Sequence, residues 1–132
     1  VAFSPDGKIV ATAGEDTAVK LWDLEGRVIQ ILVGHQQGVQ RVKFSPDGQT
    51  IATASKDQTV ILWNRKGKIL HTLKDHRDWV NDVSFSPDGK KLVTVSADGG
   101  IRIWSSAGKL ISTLPQQNNE VLSASFSPDG QL

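Results

Sequence analysis

Phe3-Ser4-Pro5-Asp6-Gly7 occurs four times in this chain of 132 residues, always 41 residues apart, and begins again at Phe44, Phe85 and Phe126. A period near 40 residues, kept without insertion or deletion, indicates an array of one supersecondary unit. A feature that every unit shares is therefore expected to be architectural. The units span 3–43, 44–84 and 85–125, and a fourth begins at 126–132.

Each unit is predicted to contain four short β-strands. Apolar residues recur with a period of two, and Gly or Pro interrupts the pattern about every ten residues, which argues against helix. Turn sequences such as Pro46-Asp47-Gly48 supply the positive-φ position that a hairpin needs. The pattern predicts strands near 39–45, 49–55, 59–64 and 68–74 in the second unit, with the same offsets in the others.

Two details indicate how these sheets pack. The apolar residues of the first strand, Val39, Val42 and Phe44, follow steps of three and two, and an extra residue would keep all three on one face. The strand that ends in Trp63 is apolar on both faces, so it must lie between two neighbouring sheets. We therefore predict an all-β fold of four-stranded antiparallel blades packed around an axis, a β-propeller. The extra residues, β-bulges, are expected around Gln40, Asn81 and Leu122.

Three blades are fewer than the roughly four to eight that close a propeller. The expected architecture is three blades plus one extra inner strand, an open arc unless another chain or further residues complete it. Two explanations stay open: the chain is part of a longer propeller, or copies assemble head to tail into a ring. In a ring, the Phe3–Gly7 and Phe126–Gly130 strings would compete for one position, which favours the first explanation.

The composition argues against several classes of function. The chain has 15 Lys and Arg, 14 Asp and Glu, and a formal net charge of +1, which gives no electrostatic footprint for nucleic acid or an anionic membrane. It has no cysteine, and its three histidines do not make a zinc cluster, because His35 and His76 lie one unit apart in equivalent loops and His71 is expected on an outer strand. No apolar run is long enough to cross a bilayer. We expect no metal or cofactor, no nucleic-acid or membrane partner, and a cytoplasmic location.

These residues resemble the WD40 (WD-repeat) family of β-propellers along the whole chain. The family's two signature dipeptides stand at Gly34-His35 and Trp22-Asp23. The resemblance implies that each blade links a loop His, a strand hydroxyl, a turn Asp and a Trp indole by hydrogen bonds. This maps to two full sets and one partial set: His35, Ser55, Asp57 and Trp63; His76, Ser96, Asp98 and Trp104; and Asp16 and Trp22 in the first unit.

The Ser, His and Asp of each full set are also the residue types of a hydrolase triad. A catalytic set would be unique and would need an oxyanion hole, whereas these residues recur in successive units. A buried indole and a buried hydroxyl need hydrogen-bond partners in any case. A structural network therefore explains the residues better, and we expect no catalytic residue.

Trp79 is the tryptophan outside the repeating column. A half-buried aromatic that covers its loop would explain it, and so would an anchor for a partner, because Trp is enriched at interface hot spots. The resemblance implies that partners bind the face formed by these loops and turns. Residue by residue, that face maps to Glu15, Gly38, Gln40, Lys56, Trp79, Asn81, Ala97, Glu120 and Leu122.

The sequence thus predicts a non-catalytic scaffold for protein–protein interaction, with a protein or peptide partner on the loop face. A sensor or regulatory propeller of a larger signalling or effector protein is the alternative. A hydrolase that uses the Ser, His and Asp set is less favoured. Further blades, from the same parent chain or from a homo-oligomer, are the second expected partner.

Overall fold

The computed structural model describes residues 1–114 and 123–127, and these residues contain strands and turns but no helix. Three antiparallel sheets of four strands each, paired in chain order, form three blades. This confirms the predicted all-β fold of four-stranded blades. The strands are β1 (Ala2–Phe3), β2 (Ile9–Thr12), β3 (Val19–Asp23) and β4 (Val28–Leu32) in blade 1; β5 (Val39–Phe44), β6 (Thr50–Ser55), β7 (Val60–Asn64) and β8 (Ile69–Leu73) in blade 2; and β9 (Val80–Phe85), β10 (Lys91–Ser96), β11 (Ile101–Ser105) and β12 (Leu110–Leu114) in blade 3.

The predicted bulges of the first strand are present in two blades. The pairing of β5 with β6 skips Gln40, and the pairing of β9 with β10 skips Asn81. The skip at Gln40 turns both Val39 and Val42 into the core, where they are 5% and 3% exposed. The third predicted bulge, at Leu122, lies outside the described residues.

The repeated Ser-Pro-Asp-Gly string forms one hairpin turn in every blade. In blade 2, the Ser45 hydroxyl donates to Asp47 Oδ1 at 2.6 Å and accepts the Thr50 N–H at 3.0 Å. Gly48 has a φ of 73°, a left-handed conformation that glycine adopts without strain. The same bonds recur at Ser4 and Ser86, so local turn chemistry explains why the string recurs.

The blades pack face to face through their tryptophans. The indole of Trp63, 1% exposed, lies in one core cluster with Leu21 of blade 1, and that of Trp104, 4% exposed, lies in another with Leu62 of blade 2. Each of these indoles therefore faces the preceding blade. Strand β7 is buried along both faces, as predicted for a strand between two sheets.

The inner strands of the three blades lie side by side around one axis. Strand β5 contacts both β1 and β9. The phenylalanines that begin each Ser-Pro-Asp-Gly string converge on one cavity that spans the blades. Residues 123–127 belong to no strand, and the remainder of the predicted extra inner strand lies outside the described residues. The converging side chains are Phe3, Phe44, Phe85 and Phe126.

Candidate functional site

Blade 2 contains a buried chain of hydrogen bonds from a carboxylate to an indole. His35 Nδ1 lies 2.8 Å from Asp57 Oδ2, and His35 Nε2 lies 2.6 Å from the Thr53 hydroxyl. The same hydroxyl accepts the Trp63 indole N–H at 2.9 Å. The imidazole thereby ties the loop before β5 to the body of its blade.

The Asp57 carboxylate is saturated with donors. Besides His35, it accepts the Gln36 N–H at 3.1 Å, the Thr59 N–H at 2.9 Å and the Thr59 hydroxyl at 2.6 Å. Burial alone would raise the pKa of this carboxyl, but the hydrogen bonds from Thr59, His35 and Gln36 together outweigh burial and hold its pKa below the ordinary value. Asp57 is therefore ionised, and hydrogen-bond donors of its own blade satisfy its carboxylate oxygens.

Blade 3 repeats the indole end of the chain and changes the carboxylate end. The Thr94 hydroxyl lies 2.6 Å from His76 Nε2 and accepts the Trp104 indole N–H at 2.8 Å. The other imidazole nitrogen, His76 Nδ1, is 4.0 Å from Asp98 and only 2.7 Å from Nη1 of Arg102. An arginine thus takes the position that a carboxylate holds in blade 2.

Arg102 is held beside the imidazole by acidic residues. Its Nε donates to Asp75 Oδ2 at 2.7 Å, and its Nη1 lies 3.9 Å from Asp98 Oδ2. Burial, followed by the charge of Arg102, lowers the pKa of His76 to about 4, against the smaller opposing effects of Asp98 and Asp75. The His76 imidazole is therefore neutral at pH 7.

The Nδ1 atoms of the two histidines have opposite roles. A carboxylate can only accept, so His35 donates from Nδ1 to Asp57. A guanidinium can only donate, so His76 accepts at Nδ1 and donates from Nε2 to Thr94. At the same fold position, Nδ1 is thus a donor in blade 2 and an acceptor in blade 3.

Blade 1 has the hydroxyl and the indole of this network, but a cleft lies beside them. The Trp22 indole donates to the Thr12 hydroxyl at 2.9 Å, and the Asp16 side chain is exposed. A cleft of about 310 Å³ lies between these three residues. Lys20 also lines the cleft, at the position that corresponds to Arg102.

The prediction that Ser55 and Ser96 join histidine to tryptophan is wrong, because threonines two residues earlier do so. Since side chains alternate along a strand, Ser55 shares a face with Thr53 but lies one step nearer the loop. Its hydroxyl donates to Gly38 O at 2.9 Å and accepts the Asp57 N–H at 3.1 Å. Ser96 likewise donates to Asp78 O at 3.2 Å. The identity of Thr12, Thr53 and Thr94 in every unit was the sequence signal for the true partners.

This geometry does not assemble a hydrolase triad. The hydroxyl of Ser55 bonds to backbone carbonyls of its neighbouring loop, and the imidazole of His35 bonds to Thr53 and Asp57. A nucleophile and its base need a direct hydrogen bond. Among residues 1–114 and 123–127, no group of three or more His, Asp or Glu side chains could hold a metal ion.

On the loop face, predicted residues from three blades form one row. Lys56 Nζ lies 2.8 Å from Glu15 Oε1 and 4.5 Å from the centroid of the Trp79 ring. A cation at this distance from an indole is attracted by the ring's electrons. Trp79 is 44% exposed, and its carbonyl accepts the Ala97 N–H at 2.9 Å. The row presents a fixed, half-exposed indole at its end.

Other predicted loop-face residues lie deeper. Gly38 and Asn81 are buried, and a side chain added at Gly38 would lie 2.8 Å from the Glu15 carboxylate. Gln40 Nε2 donates to Asn81 Oδ1 at 3.1 Å, which joins the inner strands of blades 2 and 3. These residues support the surface more than they form it. Glu120 and Leu122 lie outside the described residues.

The described part of the chain contains no helix of the length and apolarity that crossing a membrane requires. Its three radially packed meander sheets, with the Trp of blades 2 and 3 each facing the preceding blade, define a WD40 β-propeller. The family model described as IFT122 first beta-propeller matches residues 1–132. The chain therefore belongs to this family of propellers, which serve typically as protein-interaction scaffolds and are generally non-catalytic.

A curated relative supports the same class. The general transcriptional corepressor TUP1 of Saccharomyces cerevisiae is 50% identical over 40 residues, about the length of one repeat unit. The match covers 30% of this chain and 6% of the relative. The similarity thus extends over about one blade and supports the assignment of the repeat unit.

Proposed function

We propose that this protein is a non-catalytic scaffold that binds a protein partner on its loop face, with Trp79 as the anchor. The observation that carries the proposal is the 44% exposure of an indole whose backbone and one ring face are both fixed. A side chain that is already ordered loses little conformational entropy when a partner covers it. Binding to Trp79 would therefore retain most of its apolar contact energy.

The surroundings of Trp79 suit a protein partner. Lys56 and Glu15 offer a cation and an exposed carboxylate beside the indole. Aromatic anchors surrounded by polar groups are the usual composition of interface hot spots. In contrast, the buried imidazoles of His35 and His76 bond to side chains of their own blades.

Affinity capture with quantitative mass spectrometry tests the proposal. Wild type, Trp79→Ala and Leu24→Ala are compared as baits, because Leu24 is a 65% exposed apolar residue in the turn before β4, at the opposite end of the blades. We expect proteins that the wild type and Leu24→Ala retain but Trp79→Ala loses by about tenfold or more. Equal thermal melting of all three baits is the control for folding. Identical protein sets on all three baits would contradict the anchor.

We also propose that a further blade, from the same polypeptide or another copy, covers the Trp22 face of blade 1. Trp63 and Trp104 are buried by their preceding blades, whereas Trp22 is only half-buried and borders the 310 Å³ cleft. Light scattering tests the source of that blade: a defined oligomer supports another copy, and a monomer supports the same polypeptide. A monomer with Trp22 open to a fluorescence quencher in the full-length protein would contradict the coverage itself.

A further inference from the structure

The end of the blades opposite the loop face carries an excess of positive charge in blades 2 and 3. Its hairpin turns, at residues 45–49, 65–68, 86–90 and 106–109, contain or adjoin six Lys and Arg residues but only two carboxylates. The carboxylates are Asp47 and Asp88. We call the six cations the basic rim: Arg65, Lys66, Lys68, Lys90, Lys91 and Lys109.

Two close contacts fix the outer turn of blade 3, which carries Lys109, against its neighbours. Gly108, in the outer turn of blade 3, lies against the His71 ring of blade 2, where an added Cβ would be 2.9 Å from the ring. In the same turn, the Ser106 N–H donates to Lys90 O at 2.9 Å. The outer turn of blade 3 therefore lies against the outer strand of blade 2 and against the inner turn of its own blade.

The lysines of the basic rim lack the partners that cations at the other end have. At the loop end, Lys56 pairs with Glu15 at 2.8 Å and Arg102 with Asp75 at 2.7 Å. Within residues 1–114 and 123–127, no ion pair involves a lysine of the basic rim, and Arg65 reaches Asp6 only at 3.9 Å. All five lysines are exposed. Like charges that are concentrated and unpaired attract an anionic partner at long range.

We propose that the basic rim binds an acidic segment of a protein partner, independently of the loop face. The cations sit on turn tips of two adjacent blades, so a peptide with several carboxylates can lie across both turns. Asp47 and Asp88 lie in turns at the same end of the blades as the rim. Those carboxylates would repel a broad phosphate surface such as a duplex or a bilayer, whereas a narrow peptide can avoid them.

Fluorescence anisotropy with a labelled poly-glutamate peptide tests this binding. The test variant is Lys66→Glu, Lys68→Glu and Lys109→Glu together. The matched control, Lys20→Glu, Lys74→Glu and Arg77→Glu, makes the same change in net charge at the loop end of the blades. We expect the rim variant to weaken binding about tenfold or more and the control to weaken it less than about threefold. Wild-type binding should also weaken with added salt, because the Debye length shrinks.

The specificity of the basic rim is tested with other ligands and with a loop-face variant. We expect Trp79→Ala to bind the peptide as wild type does, which separates this surface from the proposed loop-face anchor. Equal loss of binding in the rim and control variants would show a net-charge effect and overturn the proposal. Tighter binding of phosphatidylserine vesicles or duplex DNA than of the peptide would also overturn it, as would no peptide binding at low salt.

Discussion

Blades 2 and 3 share a fold and a Thr–His contact, but they hold the histidine by different charges. Blade 2 has Gly34 and Ile61 at two positions where blade 3 has Asp75 and Arg102. In blade 3 these two residues form an ion pair at 2.7 Å, and the arginine contacts the imidazole. Both blades keep the hydrogen bond between the imidazole and a Thr hydroxyl, and this hydroxyl also accepts the indole N–H.

This difference shows which part of the network is architectural. The Thr hydroxyl bonds to the imidazole at 2.6 Å in both blades and to the indole at 2.9 and 2.8 Å. The group at His Nδ1 changes from a carboxylate to a guanidinium, while the distance from His Nε2 to the Thr hydroxyl stays the same. The fold therefore requires a partner at that nitrogen, while its charge is free to vary.

The largest expected difference between the blades comes from removing the turn aspartates. Asp57→Ala leaves the His35 Nδ1–H and the Gln36 and Thr59 N–H groups without their acceptor, which should cost about 2–4 kcal/mol of unfolding free energy. Asp98→Ala should cost only about 1–2 kcal/mol, because His76 bonds to Arg102 instead.

Urea unfolding of both variants measures this difference. Asp16→Ala is the matched control, because the same turn residue of blade 1 is exposed, and it should change stability by less than about 0.5 kcal/mol. Equal costs for Asp57→Ala and Asp98→Ala would refute the distinction between the blades.

The second prediction concerns the loss of stability at acidic pH. His76 has a pKa of about 4 in the folded protein and about 6.5 when unfolded, so below pH 6.5 the unfolded state binds a proton that the folded state does not. This contribution to stability is complete above pH 6.5 and is lost as the pH falls towards 4, by about 3 kcal/mol in all.

The unfolding free energy, measured from pH 7.5 to 4.5 for wild type and His76→Gln, isolates this effect. We expect the variant, which has no group to titrate there, to show a smaller loss over that range. The lowered pKa values of Asp57 and Asp98 act in a separate window, below about pH 4, because a carboxylate with a depressed pKa loses its contribution only there. Parallel curves for wild type and variant would contradict the neutral His76.

The smallest expected effect concerns the turn between the second and third strands of each blade. Thr17 and Gln58 have φ values of 71° and 76°, and blade 3 has Gly99 at this position with 82°. A β-branched residue is strained at positive φ, so Thr17→Gly should stabilise the protein by up to about 1 kcal/mol. Gln58→Gly should have a smaller effect. Destabilisation by Thr17→Gly in thermal melts would argue against strain at this turn.

The fold was predictable from the sequence because its determinants are local and repeated. The Ser-Pro-Asp-Gly turn closes on its own side chains, and the steps between Val39, Val42 and Phe44 already implied the bulge at Gln40. Bulges in the outer strands, opposite Trp22, Trp63 and Trp104, were not predicted. The exposed outer strands carry little apolar pattern from which to infer them.

Most residues of the site were predictable from the sequence, but their hydrogen-bond partners were not. The resemblance to WD40 repeats implied the histidine, aspartate and tryptophan but placed Ser55 where Thr53 acts, although the identity of Thr in this column of every unit distinguishes the two hydroxyls. The Arg102 contact could not be foreseen, since Asp75 and Arg102 are far apart in sequence. The link from Glu15 through Lys56 to Trp79 crosses three blades, and no local pattern encodes it.

The central claim is that the histidine Nδ1 at one fold position donates a hydrogen bond in blade 2 and accepts one in blade 3. Long-range proton–nitrogen NMR correlation of the imidazoles at pH 7 tests it most directly. The account predicts that His35 carries its proton on Nδ1 and that His76, neutral, carries its proton on Nε2. The same tautomer in both residues, or a doubly protonated His76, would contradict it.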